Sequence, residues 1–406
     1  MLKRITIITS TFIPEYGAAP LRLGDLAYFL ASQEIKTDVI TGYPFYPRNY
    51  VLEPFQSKSW KFSKEEPQKN LQIFRLPVYP SHSHRLRMRL LTMLSLGISM
   101  IIFLPFYLWK YKTDVVFVQS PPPLFLFHAF CIAKLKGIPL IMNISDLWSE
   151  AFPSLNVSRG VFILRKWETF FLRQADAFVV QSEEIQKWLD ERISKKAPIL
   201  LHRTGVQTEK FIPKKDYKIC SPLRIVYAGV LGIAHGLADL CKNMNFSDIG
   251  AELHLYGNGA DRSRIEEILK TEPFKGIFLW NDVQPHQIPS LLVQYDAALI
   301  SQKTYLLGTV PAKLYEAFAA GLPILFVGEG EGEKLVTQHE AGFCAKSTDY
   351  QQLRKNILEL SALSEKEREK MGKNGRLSAE LYYDRKKLLP QLFHFLSNIV
   401  LKHKAR

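Results

Sequence analysis

Acidic residues are missing from one long stretch of this 406-residue chain. Between Glu66 and Asp114 there is none, while Arg75, Arg85, Arg87, Arg89, Lys110 and Lys112 fall there. Cysteine is scarce too. Cys131, Cys220, Cys241 and Cys344 are scattered, form no CxxC pair and sit beside apolar runs. That spacing excludes a disulfide-built scaffold and reads as buried free thiols in a reducing compartment. No solenoid-type repeat and no low-complexity tract occurs. The first ten residues, MLKRITIITS, read as a strand, without the apolar run and cleavage site of a signal peptide. The dinucleotide fingerprint GxGxxG is absent after the first strand, which weakens any nicotinamide or flavin reading.

What is present is an ordinary globular composition, 47% hydrophobic and 23% charged. At 406 residues the chain exceeds what one core usually serves, so two domains are expected. The net charge of +14 is uneven. Residues 1–205 carry 26 basic against 16 acidic side chains, a net of +10, and the remainder 27 against 23, a net of +4. A basic first half calls for an anionic partner: a phosphorylated substrate, an acidic membrane surface or nucleic acid. The basic residues flank apolar runs rather than interleaving with exposed aromatics, which argues against nucleic acid.

One run tests the membrane class directly. Leu90 to Trp109 is 20 residues without a charge, long enough to span a bilayer. Pro105 interrupts it, both flanks are basic, and a strand pattern, DVVFVQS, follows from Asp114. The expectation is a core helix of a soluble domain whose outer side lies on an anionic membrane. Residues 71–112 form that docking region, with Tyr107, Trp109 and Tyr111 suited to the interface.

Strand and helix patterns alternate along the first half. RITIITS (4–10), KTDVITG (36–42), LQIFRLPV (71–78), TDVVFVQS (113–120), PLIMNIS (139–145) and ADAFVVQS (175–182) read as strands, with helical spacing at 20–33 and 159–174. Near-continuous apolar strands between helices imply a parallel sheet covered on both faces. The Pro- and Lys-rich stretch 198–222 reads as a linker, and the pattern restarts with strands at 223–229, 251–259, 276–280, 295–301 and 323–328. The expectation is two Rossmann-like domains facing a central cleft, with ligands beyond the carboxyl ends of the strands.

Candidate chemistry therefore lies in the strand-to-helix turns. After the first strand, Gly17 allows close backbone approach at a helix N-terminus, with Arg22 one turn on, facing the cleft or solvent. Asp146 and Glu150 follow another strand; Asp146 reads either as an N-cap or as a contact for an acceptor hydroxyl. In the second half, Gly229 and Gly232 punctuate YAGVLGIAHGLADL and can present amides to a phosphate, with His235 just beyond. Gly257, Gly259 and Arg262 form a further turn, open to a nucleobase-side role or to none. The most informative stretch is GTVPAKLYEAFAAGLPIL, Gly308 to Leu325. Pro311 suits a first helical position and Gly321 a C-terminal stop. Thr309 and Val310 then offer amides at the positive end of the helix dipole, Lys313 adds a full charge, and Glu316, one turn deeper, suits a vicinal diol. A surface pair at that spacing adds only a few tenths of a kcal/mol and does not explain two charges on an apolar helix. A diphosphate next to a ribose does.

With these residues in view, the chain resembles a family 4 glycosyltransferase of the GT-B fold. It is most similar to the WbuB-like branch of O-antigen and capsule synthesis. The resemblance rests on FIPEYGAAPLRLGDLAYFLASQ, TGYPFYPRN, QSPPPLF, ISDLWSEAF, YAGVLGIAHGL and VPAKLYEAFAAGLPIL, in that order along nearly the whole chain. It implies an acceptor-binding domain at 1–205, completed by a final helix from about 382 to 406, and a nucleotide-sugar-binding domain at 206–381. It implies retaining transfer without metal or other cofactor, from a UDP-sugar, one form being an N-acetylated deoxy sugar, to a lipid-linked saccharide. Residues implied at the reaction are Asp146, His235 and Lys313. Gly17, Gly229, Gly232, Gly257, Thr309, Val310, Lys313 and Glu316 would hold the donor, and Arg22, Asp146 and Glu150 the acceptor. Glu316 matches the second glutamate of the family's E-x7-E motif, but Gly308 stands where the first belongs. Where many members place Arg and Lys on the diphosphate, this chain has Val230 and His235, and the family's acceptor-side histidine is replaced by Asp146 or Ser145. The implied location is cytoplasmic and peripheral on the inner membrane face. Two other readings are a nucleotide-sugar 2-epimerase of the same architecture and a non-catalytic membrane-surface scaffold.

Overall fold

The computed structural model describes residues 2–46, 50–81, 86–147, 158–193, 197–218 and 221–405. The chain divides into two compact units: Met1–Arg203 with Leu389–Arg406, and Thr204–Leu388.

Among the described residues unit 1 holds an eight-stranded sheet of β1 (Arg4–Ile8), β2 (Lys36–Gly42), β3 (Ser63–Gln68), β4 (Leu71–Leu76), β5 (Val115–Ser120), β6 (Leu140–Ile144), β7 (Ala177–Val180) and β8 (Ile199–Leu201). Their spatial order is β3-β4-β2-β1-β5-β6-β7-β8. Every pairing is parallel except β3 with β4. The stretch read as linker from 198 therefore contributes the last strand of this sheet. The helix at Ala18–Ser32 and the final helix, Arg385–Lys404, cover one face. Leu389, Leu392, Leu396, Ile399 and Val400 share a core with Ile5, Ile7, Leu26 and Leu30.

The apolar run of 90–109 is part of one helix, Leu86–Lys110, which continues through Pro105 and is long and apolar enough to cross a membrane. Its inner side is anchored. Leu96, Met100, Phe103 and Tyr107 are buried, and Phe74 of β4 packs on the rings of Phe103 and Tyr107. The Tyr107 hydroxyl donates to Asp38 Oδ2 at 2.7 Å and lies 2.7 Å from Thr6 Oγ1, while Arg4 donates to both oxygens of Asp38. Burial pushes the Asp38 carboxyl above its ordinary pKa, with Arg4 and Tyr107 pulling it back.

Unit 2 carries a parallel six-stranded sheet of β9 (Leu223–Ala228), β10 (Ala251–Tyr256), β11 (Ile277–Trp280), β12 (Ala297–Ser301), β13 (Ile324–Val327) and β14 (Gly342–Ala345). The order is β11-β10-β9-β12-β13-β14, with every pair parallel. One face packs on the helices Leu237–Asn243, Arg262–Thr271 and Tyr350–Ala362, the other on Ala312–Ala320. Asp38 and Tyr107 are thus structural as well as polar, and a specific cost follows for the latter. Tyr107→Phe, which removes a donor from a buried carboxylate, should lower unfolding stability by about 1–3 kcal/mol; an unchanged urea midpoint would show that Asp38 does not depend on this hydroxyl.

Candidate active site

In unit 2 the carboxyl ends of β9, β10 and β12 meet the start of the helix Ala312–Ala320. Its cap is Pro311, so the helix begins one position later than the sequence pattern implies, and no side chain caps it. The reason is visible in the backbone: Pro311 has ψ 128°, outside the helical region, so the first helical residue is Ala312. Gly321 closes the helix in the left-handed conformation, as expected. Thr309 does not offer a free amide, because its N–H donates to Leu306 O at 3.0 Å in a turn. The amides of Val310, Ala312 and Lys313 carry no backbone hydrogen bond among the described residues, so the cradle sits one step deeper than Thr309.

Lys313 leans across this end onto the turn after β9. A Cβ built on Gly229, which has φ +142°, would lie 2.3 Å from Lys313 Cε and 2.8 Å from Nζ. The ammonium sits 5.1 Å from the centre of the Tyr227 ring. Burial lowers its pKa, with Glu316 opposing. Burial likewise raises the pKa of Glu316, with Lys313 and Arg385 opposing. The two line a small cavity with Val226, Ala228, Leu292 and Ala317. No ion pair within 4 Å joins Lys313 to Glu316 among the described residues, so the i,i+3 surface bridge does not form.

The glycines sort by what they do. Gly229 donates its amide to Tyr256 O at 2.8 Å, so it cannot give that N–H to a phosphate; its contribution is room for Lys313. Gly257 is required by packing, since a Cβ there would fall 1.9 Å from Gly229 O. Its place is explained without a ligand contact. Gly232 lends its carbonyl to the amide of His235 at 2.9 Å, and its own amide has no partner among the described residues. Val230 is exposed and lends its carbonyl to the Tyr227 hydroxyl. His235 follows in a 3-10 turn, Ile233–His235, and is strapped to the end of β12: its Nδ1 lies 3.2 Å from Ser301 O, and Ser301 Oγ donates to His235 O at 2.6 Å. Burial and Lys313 together depress its pKa to about 4. Sequence reasoning missed Tyr227, Ser301 and Gln302, whose Oε1 is buried without a partner at the end of β12.

In unit 1 Gly17 caps the helix Ala18–Ser32, and a Cβ there would meet only Pro20 at ordinary contact distance, so crowding does not explain the glycine. Arg22, expected toward the cleft or solvent, is drawn into the fold. It is 5% exposed, and its guanidinium donates to Gln181 Oε1 at 2.8 Å and Gln119 Oε1 at 3.0 Å. Asn143 bridges the two glutamines, and Gln119 Nε2 donates to Ser145 Oγ at 2.9 Å. Arg22 is the hub of an amide network at the ends of β5, β6 and β7. A signal for this was in the sequence: β5 and β7 both run into Val-Gln-Ser. Asp146 stands half-buried just past β6, next to Ser145. Glu150, and the residues that would show whether Asp146 caps a helix, lie outside the described residues. Also missed was Glu15, 1% exposed, which accepts from the amides of Phe12, Phe45 and Tyr46 and so ties the loop after β1 to the loop after β2.

Two parallel α/β units of this kind define the class: the chain has the GT-B fold. Residues 17–205 match the family described as glycosyl transferase 4-like domain, and residues 206–378 match glycosyl transferases group 1. Both halves of the chain thus match glycosyltransferase domain families. Among solved structures, sucrose-phosphate synthase from Thermosynechococcus elongatus superposes with TM-score 0.78 at 16% identity, covering 98% of this chain and 100% of that one. HepE from Anabaena in complex with UDP-glucose gives TM-score 0.68 at 13% identity, covering 97% and 99%. Of the curated proteins, the putative colanic acid biosynthesis glycosyltransferase WcaL of Escherichia coli (strain K12) is 22% identical over 189 residues, 45% of this chain and 47% of that protein. The chain spans about half the length of the curated relatives it matches.

The packing of Lys313 against a bare glycine gives a direct test. Gly229→Ala forces the flexible end of Lys313 aside and strains a left-handed backbone, so nucleotide affinity should fall roughly tenfold or more while the protein stays folded at a cost of about 1–3 kcal/mol. Wild-type nucleotide affinity in this variant would remove the Gly229–Lys313 contact from the site.

Proposed function

We propose that the chain is a retaining, metal-independent glycosyltransferase that moves a sugar from a UDP-sugar to a lipid-linked saccharide in surface polysaccharide synthesis, an N-acetylated deoxy sugar being one candidate. The observation that carries this reading is the Lys313 ammonium, held at a helix start with open amides and one turn from Glu316, neither group having an ion pair within 4 Å among the described residues. That arrangement answers a diphosphate joined to a ribose. UDP is favoured over other nucleotides because a structural neighbour binds UDP-glucose, and a polysaccharide product because a relative is named for colanic acid synthesis. The WbuB-like branch, the O-antigen or capsule product and the lipid carrier rest on the sequence resemblance.

In the proposed reaction the bond from the anomeric carbon to the diphosphate oxygen breaks first. Negative charge gathers on the leaving diphosphate, where Lys313 and the amides of Val310, Ala312 and Gly232 stabilise it in a preorganised way. The acceptor hydroxyl attacks from the same face, the new glycosidic bond forms, and the hydroxyl proton passes to the departing phosphate. Asp146, held beside the Arg22 network of unit 1, contacts the acceptor, and Gly17 and Glu150 take the supporting roles that the resemblance assigns. Titration with UDP, GDP, ADP and CMP, without metal, tests the donor site. One nucleotide should bind selectively in the micromolar range and weaken roughly tenfold or more in Glu316→Ala, with Lys313→Ala losing turnover far more than stability. A folded protein that binds none of the four overturns the transferase reading and favours a scaffold. Product formed from the nucleotide sugar with no acceptor present favours the 2-epimerase.

The same reading places the protein on the cytoplasmic face of the membrane through residues 71–112. Opposite its anchored side, the helix Leu86–Lys110 leaves Leu94, Ile98, Ile101, Ile102 and Trp109 exposed, Trp109 at 85%. The helix Ser158–Leu172 adds exposed Phe162, Ile163, Trp167 and Phe170. With no acid from 67 to 113, this surface suits anionic lipid. The protein should sediment with vesicles containing phosphatidylglycerol but not with neutral ones in high salt, and Ile98→Asp with Ile102→Asp should abolish this; retention of the double variant would sink the docking surface.

A further inference from the structure

The donor site as proposed has one ammonium for a diphosphate that carries two negative charges. Its second candidate cation is in the wrong state. The Nδ1 of His235 lies 3.2 Å from Ser301 O, and a carbonyl only accepts, so Nδ1 carries the ring's hydrogen. In the neutral ring Nε2 is then a bare lone pair. That edge of the imidazole points into the turn after β9: a Cβ built on Gly232 would lie 3.5 Å from Cδ2 and 3.9 Å from Nε2. Nε2 has no protein partner among the described residues. The ring cannot simply exchange its tautomer, because moving the hydrogen to Nε2 would set a lone pair on Nδ1 against the Ser301 carbonyl. A phosphate oxygen arriving at Gly232 therefore meets lone-pair repulsion from Nε2, or a proton.

Resting on the donor reading above, we propose that binding of the nucleotide diphosphate loads a solvent proton onto Nε2 of His235. The resulting imidazolium is the second cation on the leaving group. Before binding, the proton is held off by burial and by Lys313 on the helix Ala312–Ala320. The other titratable neighbours do not supply it. Tyr227 of β9 lies 6.1 Å away, ring centre to ring centre. Lys303, packed against Gly236, is already paired with Asp239 at 2.5 Å. The incoming dianion reverses the balance that Lys313 sets, and a charge-assisted N–H···O bond replaces a repulsive contact. No other bond changes: one proton is taken from solvent on binding and returned when the nucleotide leaves.

The sign follows directly. The free site binds no proton near neutrality and the occupied one binds one, so affinity falls as pH rises, by up to about tenfold per pH unit where one proton is taken up. Calorimetry with UDP-glucose tests this, because its diphosphate does not itself titrate in that range. Heats measured at one pH in MES, PIPES and imidazole, which differ in ionisation enthalpy, should report uptake of close to one proton per site. His235→Gln, checked for folding by its thermal melt, should bind more weakly, with the uptake and the pH slope both gone. Binding with heats independent of buffer overturns the proton linkage and leaves the donor site intact. Uptake that survives in His235→Gln overturns it too and moves the proton to Lys313. A folded wild type that binds no UDP-glucose overturns the UDP-glucose donor reading and this inference together.

Discussion

In a parallel sheet covered on both faces, the strands spend their backbone polar groups on one another and their side chains on the core. Polar chemistry is then confined to the carboxyl ends, where the ladder stops and the chain turns toward a helix. Both units of this protein obey that constraint, and nearly every residue of functional interest follows from it. In unit 2 it assembles Gly229, Gly232, His235, Ser301 and the start of the helix Ala312–Ala320. In unit 1 it assembles Glu15, Arg22, Gln119, Asn143 and Gln181. The two sets differ in kind. In unit 1 Arg22, Gln119, Asn143 and Gln181 bond to one another. Among the described residues, unit 2 leaves an ammonium, a carboxylate and several amides without a hydrogen-bond or ion-pair partner, which is costly in a half-buried place unless something charged completes them.

Most of the sheet was legible because buried parallel strands read as apolar runs, and the strands at 36–42, 71–76, 115–120 and 223–228 fall where the pattern put them. Those that escaped had no such run. The edge strand β3 reads SKEEPQ and pairs antiparallel with solvent on one side; β8 is three half-buried residues inside a Pro-rich stretch; β14 is a four-residue GFCA. Pairing partners far along the chain, not local composition, make these strands.

The site was legible as a set of turns and illegible in its hydrogen bonds. Sequence marks where glycine and a cation stand, and it placed Lys313, Glu316 and Gly229 on one site. It does not reveal that the amides of Thr309 and Gly229 are spent on Leu306 and Tyr256, nor that Gly257 exists to let two backbones touch. Arg22 shows the same limit. Its spacing puts it at the right end of a helix, but only the fold shows that glutamines from two strands have already claimed it.

The final helix carries a consequence for how the chain is made. Leu392, Leu396, Ile399 and Val400 complete the same core as Ile5 and Leu26, and Lys404 pairs with Asp114, which also holds the amides of Lys3 and Arg4. On the ribosome, most of unit 1 emerges before unit 2 yet lacks this side of its interior until the helix Arg385–Lys404 has left the exit tunnel. Unit 2, contiguous from Thr204 to Leu388, is complete before that. Vectorial synthesis thus inverts the expected order: unit 2, made second, is ready to fold first, and a message cut short just after Leu388 would yield a finished unit 2 beside an open, apolar unit 1.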